Sequence, residues 1–146
     1  MKTTTEKAVI AFNILYGDAH RGGKNPGVKL GKMKDGDKFN MMKVMKELKP
    51  VATDYFDFMK DSSERLRPEG FEEIQTKLQS EEELTPDEKK VWEEYNKKVQ
   101  QCVEDELKKE VEFTFQPLSE EGFKGLLSSN DLTLAEIMAI GEILGE

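Results

Sequence analysis

From about Glu6 to Tyr16 the apolar residues recur at helical spacing, with Ala8, Phe12, Leu15 and Tyr16 on one face and Val9 beside it. Gly17 follows, where glycine commonly terminates a helix. A second and stronger pattern starts at Asp37: Met41, Met45, Leu48, Ala52, Tyr55 and Met59 step by four, three, four, three and four, a heptad-like seam. Pro50 interrupts it. Proline removes a helical hydrogen bond and crowds the preceding turn, so the alternatives are a kink or two helices meeting at Lys49-Pro50; continuity of the stripe favours the kink. Arg67-Pro68-Glu69-Gly70 closes the element. Residues 71 to 84 predict a short amphipathic helix on Phe71, Ile74 and Leu78.

Thr85-Pro86-Asp87-Glu88 predicts a helix start, with Thr85 as cap, Pro86 at the first helical position and Glu88 completing a capping box. Trp92, Tyr95, Val99 and Cys102 then form one stripe, flanked by Val103 and Leu107. At Glu110 the period changes to two. Val111, Phe113 and Phe115 alternate with polar residues, a strand signal that needs a partner to satisfy its backbone. Val28 and Leu30 alternate over 27–33, which makes that segment the expected partner. Two capped helices end the chain, one after Ser119 and one after Thr133, where Glu136 completes a box and Leu132 with Ile137 makes a hydrophobic staple. The expected fold is mainly α with a minor two-stranded β element, a single-domain helical bundle of long antiparallel helices over 1–146.

Composition narrows the function more than it changes this architecture. Apolar residues make up 36% of the 146 positions and charged residues another 36%, which suits amphipathic helices with heavily charged outer faces. The formal net charge of −8 opposes broad binding to nucleic acid or an anionic membrane. No apolar run approaches the roughly 18 residues needed to span a bilayer, and no signal peptide is read behind Met1, so the expectation is a cytoplasmic protein. The one cysteine, Cys102, cannot form an intramolecular disulfide and is expected to be a buried structural residue.

A single histidine, His20, leaves too few ligands for a zinc or di-iron site, so no metal and no cofactor are expected. No nucleophile, base and orienting group can be named together, so no catalytic residue is assigned either. The methionine seam reads as core, as in most proteins; an adaptable groove for a partner, which methionine also suits, is the lesser alternative. Residues 17–38 are the one basic stretch. They carry six glycines, Pro26 and six Lys or Arg against Asp18, Asp35 and Asp37. They are not a Walker loop: the glycine required five residues before Gly-Lys is Asp18 in one register and Pro26 in the other. Arg21, Lys24, Lys29 and Lys32 are the candidate binding residues, suited to carboxylates or phosphates on a mobile loop or one ordered by a partner.

Glu110-Val111-Glu112-Phe113-Thr114-Phe115, Pro117-Leu118-Ser119 and Leu132-Thr133-Leu134-Ala135-Glu136-Ile137, with Ile143 and Glu146, resemble a family of small tailed-bacteriophage (prophage) proteins of unknown function. Lys46-Glu47-Leu48-Lys49-Pro50 and the Glu6–Leu15 helix are similar to its N-terminal half. The Gly- and Lys-rich stretch at 17–36 is longer than the family pattern. The resemblance implies a phage or prophage origin and no enzymatic role, and it transfers no functional residues. The resulting expectation is a non-catalytic interaction protein, an accessory or assembly-type factor in the host cytoplasm that binds a viral or host protein or a second copy of itself. The alternative is an inhibitor of a host defence system that binds a host protein or sequesters an anionic nucleotide signal.

Overall fold

The computed structural model describes residues 1–145, of which 68% are helical. In chain order the elements are β1 (Lys2–Thr4), α1 (Thr5–Tyr16), a 3-10 turn (Ala19–Arg21), α2 (Asp35–Arg65), α3 (Phe71–Gln79), α4 (Pro86–Leu107), β2 (Glu110–Glu112), α5 (Glu120–Ser129) and α6 (Leu134–Leu144). The fold is mainly α with one small antiparallel sheet. The chain gathers into two compact units, Met1–Tyr55 with Lys108–Glu146, and Phe56–Leu107, and the boundary falls inside α2.

Local chemistry places most helix ends where the sequence puts them. Thr133 Oγ1 accepts from the Glu136 N–H at 3.2 Å while Glu136 Oε1 accepts from the Thr133 N–H at 3.0 Å. Thr85 and Glu88 repeat this reciprocal pair at 3.2 and 3.0 Å, and Ser119 Oγ accepts from the Gly122 N–H at 3.0 Å. Each such cap satisfies backbone donors that the first helical turn leaves open. Pro50 lies within α2, which continues through it as one helix. Both Pro50 and Lys46, whose carbonyl loses its usual partner, are exposed, so water can take up the lost bond. By contrast α3 stops at Gln79, short of the expected residue 84. Glu81 takes a positive φ of 57°, and three successive glutamates would oppose the negative end of the helix dipole.

The strand partner expected from sequence is replaced by another. β2 pairs with β1, with Lys2 opposite Glu112, Thr3 opposite Val111 and Thr4 opposite Glu110. Pairing extends through the Met1 nitrogen, which donates to the Phe113 carbonyl at 2.9 Å. The alternation continues past the strand, with Phe113 and Phe115 buried and stacked at 5.2 Å. Thr114 turns its N–H to Glu47 Oε1 at 2.7 Å instead of to a neighbouring strand. Residues 27–33 form no strand because their donors go elsewhere. The Val28 N–H reaches the Leu15 carbonyl, the Lys29 N–H reaches Asn130 Oδ1, and the Lys32 N–H reaches Ser129 Oγ, at 2.9, 2.7 and 2.9 Å.

In the first unit, α1 packs on α6. Lys7 lies 3.7 Å from Glu142 near the end of α6, while Leu15 and Asn130 are both tied to the Val28–Lys29 backbone, so the two helices run antiparallel. Phe12, Val44, Leu48, Leu126, Ile140, Ile143 and Leu144 form a core closed to solvent. In the second unit Phe71, Trp92 and Tyr95 cluster with ring centroids 5.1–5.9 Å apart, and the Tyr95 hydroxyl donates to the Ser63 carbonyl at 2.7 Å. On α4 only Tyr95 is buried; Trp92, Val99 and Cys102 are half-buried, so Cys102 is not the enclosed residue its stripe suggests.

Candidate functional site: a methionine-lined groove beside the basic segment

The segment between α1 and α2 is tied down by its own polar groups and is not a loose loop. Asp18 organises its first half: its carbonyl accepts from the N–H groups of Arg21 and Gly23, and its Oδ1 accepts from the Asn25 N–H at 2.8 Å. The Asn25 carbonyl in turn accepts from Asp18 and Ala19 at 2.9 Å each. Gly17 and Gly27 let two stretches of backbone meet. Both have positive φ, a Cβ at Gly17 would overlap the Asn25 carbonyl, and one at Gly27 would sit 2.6 Å from the Leu15 oxygen. The second half is fastened by Asn130, whose Nδ2 donates to the carbonyls of Lys29 and Leu126 at 2.7 and 2.9 Å while its Oδ1 takes the Lys29 N–H. Met33 is buried beyond it.

The four basic candidates are exposed on this frame but hang from two different anchors. Arg21 and Lys24 belong to the Asp18–Asn25 turn, where the Arg21 guanidinium donates to Asn13 Oδ1 at 3.2 Å. Lys29 and Lys32 are held against the end of α5 by Asn130 and Ser129. Among the described residues the side chains of Lys24, Lys29 and Lys32 make no ion pair. Lys34 does, with Glu121 at 2.7 Å, and that hydrogen bond raises its pKa above the ordinary lysine value.

Where this segment crosses α1 and α2 it leaves an apolar groove with a volume of 170 Å³. Leu15 and Tyr16 form one wall, Val28 and Leu30 a second, and Met41, Met42, Met45 and Lys38 the third. The methionine seam therefore divides: Met41 is 3% exposed and belongs to the core, Met45 is half-buried, and Met42, which lies off the seam, is 43% exposed. Tyr16 was expected on the buried face of α1, yet it is 37% exposed and packs on Phe12 and His20 with centroids 5.1 and 4.7 Å away. The Lys49 ammonium stands 5.4 Å from the Tyr16 ring centre. Small-molecule pockets usually enclose about 300–1,000 Å³, so the groove is sized for one or two side chains.

A wider depression of 560 Å³ along Asn40, Lys43, Glu47, Thr114 and Phe115 mixes polar and apolar surface, and its Glu47 carboxylate is already engaged by the Thr114 N–H and hydroxyl. Among the described residues no group of three or more His, Cys, Asp or Glu is placed to hold a metal ion, and no helix is long and apolar enough to cross a membrane. Local pattern does not reveal the groove, because Tyr16, Val28 and Leu30 reach Met42 only through the fold. One signal was available. Lys38, Met42, Met45 and Lys49 fall at i, i+4, i+7 and i+11, a single stripe of α2 beside the buried one.

Fold and groove together define a mainly α protein with a side-chain-sized apolar recess. No protein-family model, curated protein or solved structure matches the chain.

Proposed function

We propose that this protein is a non-catalytic interaction protein, an accessory or assembly-type factor that binds another protein through the Met42–Met45 groove. The observation that carries this reading is an apolar recess left open beside a finished core. Met42 and Tyr16 stay exposed while Leu48 and Val44 on the same α2 are closed to solvent. Thioether side chains adapt to the shape of an incoming group, which suits a recess that receives a partner's side chain. The resemblance to tailed-phage proteins supports a phage-encoded factor acting in the host cytoplasm, on a viral or a host protein.

A photo-crosslinking residue in place of Met42, irradiated in the cells that make the protein, should give one discrete adduct. The same residue in place of Met138, exposed on α6, should not. The captured protein, once purified, should bind the unmodified chain and lose at least about tenfold in affinity to Met42→Asp. Identical adducts from both positions, or a captured protein indifferent to Met42→Asp, would overturn the reading.

A further inference from the structure

We infer that the groove receives an acidic amphipathic helix, with apolar side chains seated against Met42 and Met45 and carboxylates at either end meeting Lys38 and Lys49. This rests on the interaction reading above and adds the chemistry of the partner.

The first support is the layout of α2. Lys38, Met42, Met45 and Lys49 share one stripe, so an apolar centre is bracketed by two ammonium groups. Eleven residues at about 1.5 Å each put the bracketing lysines about 16 Å apart along the axis, three turns of helix. Lys38 lines the groove, and the Lys49 ammonium stands 5.4 Å from the ring centre of Tyr16, one of the lining residues. Among the described residues neither makes an ion pair; Lys49 meets only the face of the Tyr16 ring, a contact that a carboxylate can join.

The second support is the sign of the surroundings. Residues 21–49 hold nine Lys or Arg and three Asp or Glu, in a chain whose net charge is −8. Lys34 is paired with Glu121 and Lys43 and Lys46 line the other depression, so the charge that steers an acidic ligand here comes from Lys38 and Lys49, with Lys24, Lys29 and Lys32 on the adjoining segment.

The third is shape. A recess of 170 Å³ accepts one or two aliphatic side chains, as an amphipathic helix presents at i and i+4 when it lies in a groove. A peptide docking by strand addition would need an open sheet edge, and the groove is walled by α1, α2 and the 28–30 backbone, which form none. Nucleic acid supplies the negative charge but not the aliphatic anchors.

The test uses the full chain and three fluorescein-labelled helical peptides of about 18 residues. One carries two leucines at i, i+4 between glutamate-rich ends. The second has the same leucines between lysine-rich ends. The third keeps the glutamates and replaces the leucines with serine. Methyl-labelled methionine spectra locate the contact.

The first peptide should bind at least about tenfold more tightly than either other one. It should weaken several-fold between 50 and 300 mM NaCl, and it should move the Met42 and Met45 methyl signals while leaving Met138 unmoved. The Lys38→Glu/Lys49→Glu double variant, checked by circular dichroism for an unchanged fold, should reverse the preference toward the lysine-ended peptide. If both leucine peptides bind equally and move Met42 and Met45, the acidic chemistry is wrong and the interaction groove survives. If no peptide moves those methyls, the inference falls, and cross-linking from position 42 judges the parent reading separately. A single-stranded DNA 20-mer that moves Met42 and Met45 as strongly as the first peptide would also overturn it.

Discussion

The two compact units differ in how they balance apolar burial against charge. Residues 56–107 carry 16 acidic and 8 basic side chains, so they account for the whole net charge of −8, while the remainder carries 14 of each. Every large side chain closed to solvent, from Phe12 to Leu144, belongs to the neutral unit; in the acidic one Ser62 alone is enclosed to that degree. The neutral unit is therefore held by close-packed aliphatic contacts, which salt and pH barely touch. The acidic unit relies on the Phe71–Trp92–Tyr95 cluster and on polar contacts such as Tyr95 to Ser63, while its excess carboxylates repel one another. A single protein thus contains one region whose stability is set by volume and another whose stability is set by solution conditions.

The largest effect should come from the aliphatic core. Ile140→Ala removes a fully enclosed side chain and should cost about 2–5 kcal/mol in urea unfolding followed by circular dichroism. Val99→Ala, on the half-buried stripe of α4, should cost far less. Equal losses would break the contrast between the units.

Next, Tyr95→Phe removes the 2.7 Å hydrogen bond to Ser63 and should cost about 1 kcal/mol. Trp92 is the sole tryptophan and sits in the same cluster, so its fluorescence midpoint in urea reads this directly. An unchanged midpoint would mean that the hydroxyl contributes nothing to the acidic unit.

Raising NaCl from about 20 to 500 mM should move the Trp92 midpoint upward by screening the carboxylates, with a smaller change in amide-exchange protection along α6. A larger response in α6 would reverse the comparison.

The smallest effect concerns pH. Glu88 Oε1 accepts from Lys77 Nζ at 2.7 Å and from the Thr85 N–H at 3.0 Å, and the lysine bond first, then the cap, holds its pKa below the ordinary carboxylate value. A lowered folded-state pKa contributes stability above the unfolded value and loses it as pH falls through the folded one. The same bond raises the pKa of Lys77, whose contribution is present below the ordinary lysine value and lost as pH rises through the folded one. The advantage of wild type over Glu88→Gln in the Trp92 midpoint should therefore be full near neutrality and shrink toward both extremes. A pH-independent gap would show that the charge is irrelevant and only the shape of the cap matters.

Features that depend on neighbours in sequence were legible, and features that depend on distant ones were not. The reciprocal caps at Thr85–Glu88 and Thr133–Glu136 need three residues of context, and the chain supplies it. The β2 strand was legible for the same reason, but its partner lies more than a hundred residues away, and three residues of β1 show too little alternation to announce a strand. The Val28–Leu30 alternation misled because Asn130 and Ser129, which take its backbone donors, cannot be foreseen from local pattern. At the candidate site, the basic candidates Arg21, Lys24, Lys29 and Lys32 stand out in composition and are exposed, but the recess beside them needs three separate segments.

The meeting of Gly17 with Gly27 also bears on how this protein can vary. A methyl group at either glycine would push the 28–30 backbone away from Leu15, and with it one wall of the groove. At Gly31 and Gly36, a few residues further on, an added Cβ meets nothing within 4 Å. A stretch with the composition of a permissive linker is thus divided into positions open to drift and positions, Gly17 and Gly27 among them, held by a missing side chain. The width of the recess was set by what the chain leaves out.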